Sequence, residues 1–247
     1  MIPIKALRLG TAVCAVVALA GSAARAYIPS VNSLLHRAAA RVQEGGRSRD
    51  TTITGTLTLG QAPPLAATLA LRFPLGCRFE AAGLSVTVKG EAGQQQIQED
   101  GHDGARDLLK LACPLIAYRG QGAASAERTL RLAAMTAGLT GEFSPVSLSR
   151  LYDRVAVVLG APPRQLEQPQ LWLYKDNAAP ARLLARTGDS KLDDLRLLQY
   201  GSPAASDWLP RVIELWHGGQ LVVRFEALET HGLRDVVVEG GDDEPER

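Results

Sequence analysis

The segment from 209 to 229, LPRVIELWHGGQLVVRFEALE, constrains the fold more than any other part of the chain. Apolar and polar residues alternate on either side of the segment 217–220 (HGGQ), a pattern typical of two antiparallel strands joined by a tight turn. Large apolar side chains lie on both faces of this predicted hairpin: Val212, Ile213, Leu215 and Trp216, then Leu221, Val222, Val223, Phe225 and Leu228. A sheet with one solvated face alternates more strictly. Either both faces are covered, or one face lines a cavity.

The first 26 residues have the pattern of a secretory signal peptide. Lys5 and Arg8 precede a short apolar run that ends in Ala24-Arg25-Ala26, an A-x-A-like cleavage site. Because the run is shorter than the ~20 residues of a membrane-spanning helix, we expect export to the periplasm with cleavage after residue 26. Cys14 lies inside the apolar run and not at its end, which argues against a lipoprotein signal.

The expected mature chain is one domain, residues 27–238, followed by a disordered acidic tail at 239–247 (EGGDDEPER). Loss of Lys5, Arg8 and Arg25 with the leader takes the formal net charge from +1 to −2. This balance offers no basic surface to a phosphate backbone, so we expect no nucleic-acid partner. Every later apolar run is interrupted by Arg, Asp, Gly or Pro, which predicts a soluble protein. We expect a monomer.

Hydrophobic periodicity divides this domain into helices and strands. It predicts a first helix after Ser30, a central helix over 103–117 with Pro114 interrupting it, and a further helix over 123–138. Alternation predicts strands at 50–59, 65–73, 77–81, 84–89, 144–160, 170–176, 181–187 and 192–200, and in the hairpin. Short turns between consecutive strands favour antiparallel pairing. The predicted class is α+β, with about 10 to 11 strands.

No motif in the sequence indicates catalysis or metal binding. The four histidines are His36, His102, His217 and His231. None has a second His or Cys at metal-ligand spacing, and neither a G-x-S-x-G motif nor a glycine-rich phosphate loop occurs. We interpret His217 as a solvated turn residue and the pair Asp193-Asp194 as solvated charge at a strand start. We therefore expect no enzyme, no metal and no cofactor; a hydrolase with an unrecognised site is the less favoured alternative.

Short motifs in both halves of the chain resemble the LolA/LolB-like family of outer-membrane lipoprotein carriers. In the C-terminal half they are a strand ending in Lys-Asp (169–176), a Pro-led return strand (180–183) and a later Pro-led strand before a Gly turn (209–214). In the N-terminal half a leading helix precedes a strand pair in which LRFP (71–74) and RFE (78–80) are similar to the family's strand turn. The resemblance covers most of the mature chain.

This resemblance implies a curved, incomplete antiparallel β-barrel, with the N-terminal helix and a helical lid over an apolar cavity. It implies a periplasmic binding or carrier protein for lipid or lipoprotein acyl chains, with envelope membrane proteins as further partners. The expected cavity residues are Arg72, Leu71, Leu109, Leu115, Leu171, Leu173, Leu183, Ile213, Leu215, Val223 and Phe225. In the carriers an Arg inside the cavity helps to control the lid; Arg72 matches it, with Phe73 intervening before Pro74, and an exposed strand Arg is the alternative.

Two cysteines remain after loss of the leader, Cys77 and Cys113, and an even pair in an exported chain predicts one disulfide. The alternative is two buried free thiols. The bond would close a loop of roughly 35 residues and stabilise the fold by about 3 to 4 kcal/mol. It would also tie the strands to the central helix and so restrict a lid that carriers need to move. The alternative function is therefore a non-enzymatic envelope scaffold of the same fold with a filled cavity.

Overall fold

The computed structural model describes residues 29–44, 50–72, 76–118, 123–141, 143–144, 146–187, 191–201 and 209–232. The predicted signal peptide and acidic tail lie outside these residues. The described helices are α1 (Val31–Glu44), α2 (Asp103–Ile116) and α3 (Ala123–Thr136). The described strands are β1 (Asp50–Leu59), β2 (Leu65–Arg72), β3 (Gly76–Ala81), β4 (Leu84–Lys89), β5 (Gln96–Asp100), β6 (Val146–Leu151), β7 (Arg154–Gly160), β8 (Gln170–Tyr174), β9 (Pro180–Thr187), β10 (Lys191–Tyr200), β11 (Pro210–His217) and β12 (Gln220–Gly232).

The strands form one 12-stranded sheet in the order β5-β4-β3-β2-β1-β12-β11-β10-β9-β8-β7-β6. Every neighbouring pair is antiparallel, and the pairing of β1 with β12 joins the meander before the helices to the meander after them. The predicted α+β class with an open antiparallel sheet is confirmed. The sequence pattern missed β5, because its sequence QIQED has a single apolar residue and no alternation to detect.

The sheet curves around α2. Helix α2 contacts β3, β4 and β5 on one side and β10, β11 and β12 on the other. In a flat sheet β4 and β11 would be five strand spacings apart, about 24 Å, whereas a helix with its side chains is only about 10 to 12 Å wide. One helix can touch both strands only because the sheet bends, and the face towards α2 is hereafter the inner face.

The ends of the helices agree with the signals in the sequence. The Ser30 hydroxyl accepts a hydrogen bond from the Ser33 amide at 3.3 Å, as expected of the residue that caps α1. At the start of α2, His102 Nδ1 accepts a hydrogen bond from the Gly104 amide at 3.0 Å. Two residues after the end of α3 lies Gly138, whose φ of 96° is the left-handed conformation that glycine adopts without strain. Helices α1 and α3 pack against each other.

The predicted hairpin is formed by β11 and β12. Gly218 and Gly219 form its turn with φ values of 57° and 81°, which suit a two-residue turn between antiparallel strands. Directly paired residues share a face, so Ile213 with Phe225 and Leu215 with Val223 both point inward. The alternation read from the sequence therefore groups Ile213 with Leu215, and Val223 with Phe225, as the structure does, and a bulge between Leu215 and Trp216 shifts the register near the turn.

Candidate functional site

Ten of the eleven residues expected to line a cavity lie together in one buried hydrophobic cluster at the inner face. They are Leu71, Leu109, Leu115, Leu171, Leu173, Leu183, Ile213, Leu215, Val223 and Phe225, each at most 2% exposed. Phe225 packs edge to face against Phe79, with ring centroids 5.0 Å apart. Two of the ten, Leu109 and Leu115, belong to α2 itself, so the helix inserts its side chains into the curve of the sheet. These residues form a packed core.

Arg72 is the one expected cavity residue that does not lie in the buried cluster. It follows Leu71 in β2, and successive residues of a strand point to opposite faces of the sheet. Since Leu71 is fully buried at the inner face, Arg72 points outward, and it is exposed. The expectation that Arg72 lies inside the cavity is corrected here; the exposed strand arginine, the alternative, describes its position.

The structure contains the disulfide between Cys77 and Cys113, with their Cα atoms 5.9 Å apart. Cys77 lies on β3 and Cys113 in the last turn of α2, and each is only 2% exposed. The bond fixes the end of α2 to the inner face of the sheet. Helix α2 is consequently tethered to the sheet at its C-terminal end.

A cleft of about 190 Å³ lies between α2, α3 and β9 on the helical side of the sheet. The buried apolar residues of its floor are Ala92, Leu111, Pro114, Ala133, Ala137 and Leu183. Gln95, Lys110, Thr136 and Arg186 complete the lining and are more exposed. Leu183 is one of the ten core residues named above, so the cleft reaches the interior that the sequence predicted to be a cavity.

Two cationic residues are among those that line this cleft, Lys110 from α2 and Arg186 from β9. Among the residues described by the structure, neither forms an ion pair with a carboxylate. An apolar floor below free cations suits an amphipathic ligand with an anionic end. Each buried methylene contributes about 0.8 kcal/mol, and each exposed charge pair up to about 1 kcal/mol.

Pro114, which lines the cleft, leaves one carbonyl group of α2 without its helical hydrogen bond. Proline has no amide hydrogen, so the carbonyl oxygen of Lys110, four residues earlier in α2, lacks its helical donor. The Gln95 side-chain amide supplies the missing hydrogen bond at 2.9 Å. The predicted interruption of α2 does not occur, because Pro114 lies in the last turn and Gln95 satisfies the exposed carbonyl.

Helix α3 is held on the sheet more weakly than α2. Its buried residues are Ala126, Thr129, Leu130, Ala133 and Ala134, whereas those of α2 include Leu108, Leu109, Leu111, Leu115 and Ile116. Full burial of a Leu or Ile contributes roughly 1.5 to 3 kcal/mol, and alanine buries much less apolar area. A backbone hydrogen bond from the Arg186 amide to the Ala137 carbonyl at 2.9 Å joins the end of α3 to β9. Of the two helices that line the cleft, α3 therefore has fewer large apolar side chains buried.

The outer face of β8 to β11 is covered by its own charged and aromatic side chains. Asp194 accepts hydrogen bonds from Arg182 Nε at 2.6 Å and from Arg196 Nη2 at 2.7 Å. Arg182 lies over the Trp172 ring at 5.2 Å, and Arg196 over the Trp216 ring at 4.5 Å. The hairpin therefore carries apolar residues on both faces because the inner ones pack towards α2 and Trp216 packs under a guanidinium group.

Asp193 and Asp194 are not the solvated charges that the sequence suggested. The side chain of Asp194 is only 13% exposed, between its two arginines. Asp193 points to the other face, is 4% exposed, and its Oδ1 lies 2.7 Å from Nδ1 of His217. His217 is accordingly a partner of a buried carboxylate, whereas Asp194 is partly buried between its arginines on the outer face.

Tyr174, on the outer face of the sheet, has a raised pKa. Burial raises the pKa of Tyr174 to about 12, against the opposing effect of Arg154, whose guanidinium lies 3.8 Å from the ring centroid. Tyr174 is therefore a neutral packing residue at physiological pH.

Among the described residues no group of three or more His, Cys, Asp or Glu side chains could hold a metal ion. None of the described helices has the length and apolarity to span a bilayer.

Sequence reasoning missed the polar rim of the cleft: Gln95, Lys110, Thr136 and Arg186. One signal was available, since Lys110 interrupts the apolar run LLKLACPLI of the central helix. Nothing local connects Lys110 with Arg186, because they come from elements far apart in the chain and meet only when the sheet curves.

No protein-family model matches the sequence, and no curated protein does either. Solved structures with a similar course of the chain include a domain assigned to outer-membrane lipoprotein sorting from Vibrio parahaemolyticus, at 10% identity and a TM-score of 0.49, covering 82% of this chain and 93% of that one. A DUF1329 family protein from Desulfovibrio piger has 9% identity, a TM-score of 0.46 and coverages of 85% and 95%.

A LolA superfamily protein from Nitrosomonas europaea has 12% identity and a TM-score of 0.41, covering 85% of this chain and 96% of the other. The likeness lies in the course of the chain, at identities that leave nearly every side chain different.

Proposed function

We propose that this protein is a periplasmic binding protein that carries lipid or lipoprotein acyl chains non-covalently and without turnover. The observation that carries the proposal is the cleft between α2, α3 and β9, with an apolar floor and with Lys110 and Arg186 unpaired, among the described residues, at its rim. The end of an acyl chain would lie on the floor near Leu183, and an anionic head group would face the two cations.

The cleft in its present state holds only part of a chain, since about 190 Å³ is below the roughly 300 to 1,000 Å³ of small-molecule sites. A longer chain would enter by moving α3, together with its partner α1, away from β9. About eight methylenes buried at 0.8 kcal/mol each would contribute roughly 6 kcal/mol towards offsetting the exposure of Leu130 and of the buried alanines of α3.

Native mass spectrometry of the full chain, exported to the periplasm and purified without extraction, tests the proposal. We expect a population heavier than the polypeptide by the mass of a lipid, which organic extraction removes. A clean apo mass after purification from lipid-rich cells would contradict carriage.

A non-enzymatic envelope scaffold is the second candidate function. It is favoured by one observation, the burial of the ten predicted lining residues to 2% exposure or less. A scaffold of this kind would give the apo mass in the same experiment, so one measurement separates the two functions.

Replacing Lys110 and Arg186 by glutamine should weaken the binding of a long-chain fatty acid about tenfold. Each cation contributes up to about 1 kcal/mol to an anionic head group, and 1.4 kcal/mol is a factor of ten. Fluorescence titration with a labelled fatty acid measures the change. The matched control, Arg164→Gln with Lys175→Gln, removes two exposed charges elsewhere and should leave the affinity unchanged.

The corresponding long-chain alcohol provides a further control, because its head group carries no charge. We expect its affinity to be the same in wild type and in the Lys110→Gln/Arg186→Gln variant. An equal loss of affinity for acid and alcohol would show that the two side chains support the fold of the cleft and do not contact a head group.

A further inference from the structure

The outer face of β2 to β5 carries a second cavity, of about 660 Å³, on the side of the sheet away from the acyl cleft. The register arranges the outward side chains in rows that cross the strands. The first row is Arg72, Gly76, Lys89 and Gln96, and the second is Ala70, Arg78, Thr87 and Gln98. The third is Thr68, Glu80, Ser85 and Asp100. We call this cavity the outer trough.

Small residues make the trough concave. Gly76 has no side chain and lies between Arg72 and Lys89, and the neighbouring Ala70 is short. From β2 to β5 the trough crosses three strand spacings, about 14 Å, and successive rows are about 7 Å apart. Its volume falls within the roughly 300 to 1,000 Å³ typical of small-molecule sites.

Charge is separated along the trough. Arg72 and Lys89 stand at the first row, and among the described residues neither forms an ion pair, although Asp50 of β1 lies beside Arg72 in the register. Asp100 is at the opposite end, in the third row. The positive end of the trough is therefore available to an anion, and the acid lies where it can accept a hydrogen bond from a hydroxyl group.

The remaining charged groups at the trough are engaged in exposed pairs. Arg78 pairs with Glu80, and their side chains are 54% and 51% exposed. Glu99, at the margin, pairs with Arg106 of α2 at 3.1 Å. Exposed pairs of this kind are weak, so Arg78 can exchange its partner for a ligand at little cost.

Between the charged ends the floor offers neutral polar groups: the hydroxyls of Ser85 and Thr87 and the amide of Gln98. Hydroxyl and amide groups both donate and accept hydrogen bonds. They complement a ligand that is itself covered with hydroxyl groups, whereas a bare anion would use only the cationic end. The length of the trough accommodates an extended ligand of a few rings.

We propose that the outer trough binds an anionic oligosaccharide, with its acidic group at Arg72 and Lys89 and its hydroxyls along Thr87, Ser85, Gln98 and Asp100. This site is separate from the acyl cleft, on the opposite face of the sheet, and does not depend on the function proposed above. It gives the protein a means to bind acidic carbohydrate while its inner side is occupied or empty.

Isothermal titration calorimetry of the full chain with tetragalacturonate, a uronic-acid tetramer, tests the proposal. We expect measurable binding at low ionic strength that weakens with added salt, and no binding of the neutral maltotetraose. The variant Arg72→Gln/Lys89→Gln should bind the acidic tetramer at least tenfold more weakly. The matched control Arg37→Gln/Arg164→Gln removes the same charge from exposed positions elsewhere and should bind it like wild type.

Three outcomes would overturn the proposal. The first is no heat of binding with tetragalacturonate at low salt. The second is an equal loss of affinity in the two double variants, which would mean attraction by overall charge. The third is displacement of tetragalacturonate by inorganic phosphate at a concentration equal to that of the tetramer. This result would mean that the trough binds anions in general and does not recognise the sugar. Thermal unfolding midpoints equal to wild type establish that both variants are folded.

Discussion

Replacing both Cys77 and Cys113 by alanine lowers the free energy of unfolding by about 4 kcal/mol. The disulfide spans a sequence separation of 36 residues, and a cross-link of that length removes roughly 4 kcal/mol of loop entropy from the unfolded chain. It also fixes the end of α2, the helix with the largest buried apolar surface, to β3. Urea denaturation followed by circular dichroism measures the change.

Reduction of the wild-type protein serves as the control for this experiment. Reduced wild type and the alanine variant should unfold at similar urea concentrations, and a reducing agent should not change the variant. A loss below about 1 kcal/mol in the variant would contradict the role of the disulfide, because the chain-entropy contribution alone exceeds that value.

Replacing Asp194 by alanine should destabilise the fold by about 3 to 5 kcal/mol, the usual cost of breaking a buried ion pair by removing one partner. Asp194 is 13% exposed, and its carboxylate accepts hydrogen bonds from both Arg182 and Arg196. Without it two guanidinium groups, 10% and 20% exposed, would lie side by side with no acid between them. Chemical denaturation at neutral pH measures the loss.

Asp176 provides the matched control. It also accepts two hydrogen bonds from one arginine, Arg154, at 2.7 and 2.8 Å, but its side chain is 67% exposed. Asp176→Ala should cost no more than about 1 kcal/mol, as for exposed pairs in general. Equal effects at the two positions would show that the outer-face network contributes to stability like an ordinary surface pair.

The elements that the sequence predicts well are those with strong local signals. The boundaries of α2 follow from the leucine spacing, and the hairpin of β11 and β12 from alternation around Gly218-Gly219. Strand β5 is missed because QIQED pairs through its backbone, and backbone pairing does not require an apolar pattern. Its role is to extend the sheet edge beneath the outer trough, which only the assembled register reveals.

The sequence predicts the candidate site less completely than the fold, because the face on which a side chain lies and the partners it meets depend on tertiary structure. Successive residues of a strand point to opposite faces of the sheet, so Leu71 and Arg72 cannot both face the cavity. Leu71 faces inward and Arg72 faces outward. Burial of Asp194 was not visible either, because its two arginines come from β9 and from two residues further along its own strand. An acid that appears solvated in the sequence becomes buried when the fold brings its partners to it.

In the proposed function an acyl chain enters between α3 and β9. A disulfide across this boundary would prevent α3 from leaving the sheet. A Cβ atom added at Gly138 would lie 3.7 Å from Cβ of Arg186, close to the roughly 3.8 Å mean for disulfides. In the variant Gly138→Cys/Arg186→Cys the new cysteine at position 138 has a φ of 96° and its Cβ lies 3.1 Å from Cγ of Pro169, a strain that the oxidised and reduced forms share. Oxidation locks α3, and mild reduction opens the lock while sparing the native disulfide, because its sulfurs are buried.

The most direct test compares uptake of a labelled long-chain fatty acid by this single variant in its oxidised and mildly reduced forms. The two forms share both substitutions, so their difference reports only the lock. We predict that the reduced form takes up the fatty acid, with the lower affinity expected from loss of the Arg186 cation, and that the oxidised form does not. Equal uptake by both forms would contradict entry beside α3, and with it the assignment of the cleft as the acyl-binding site.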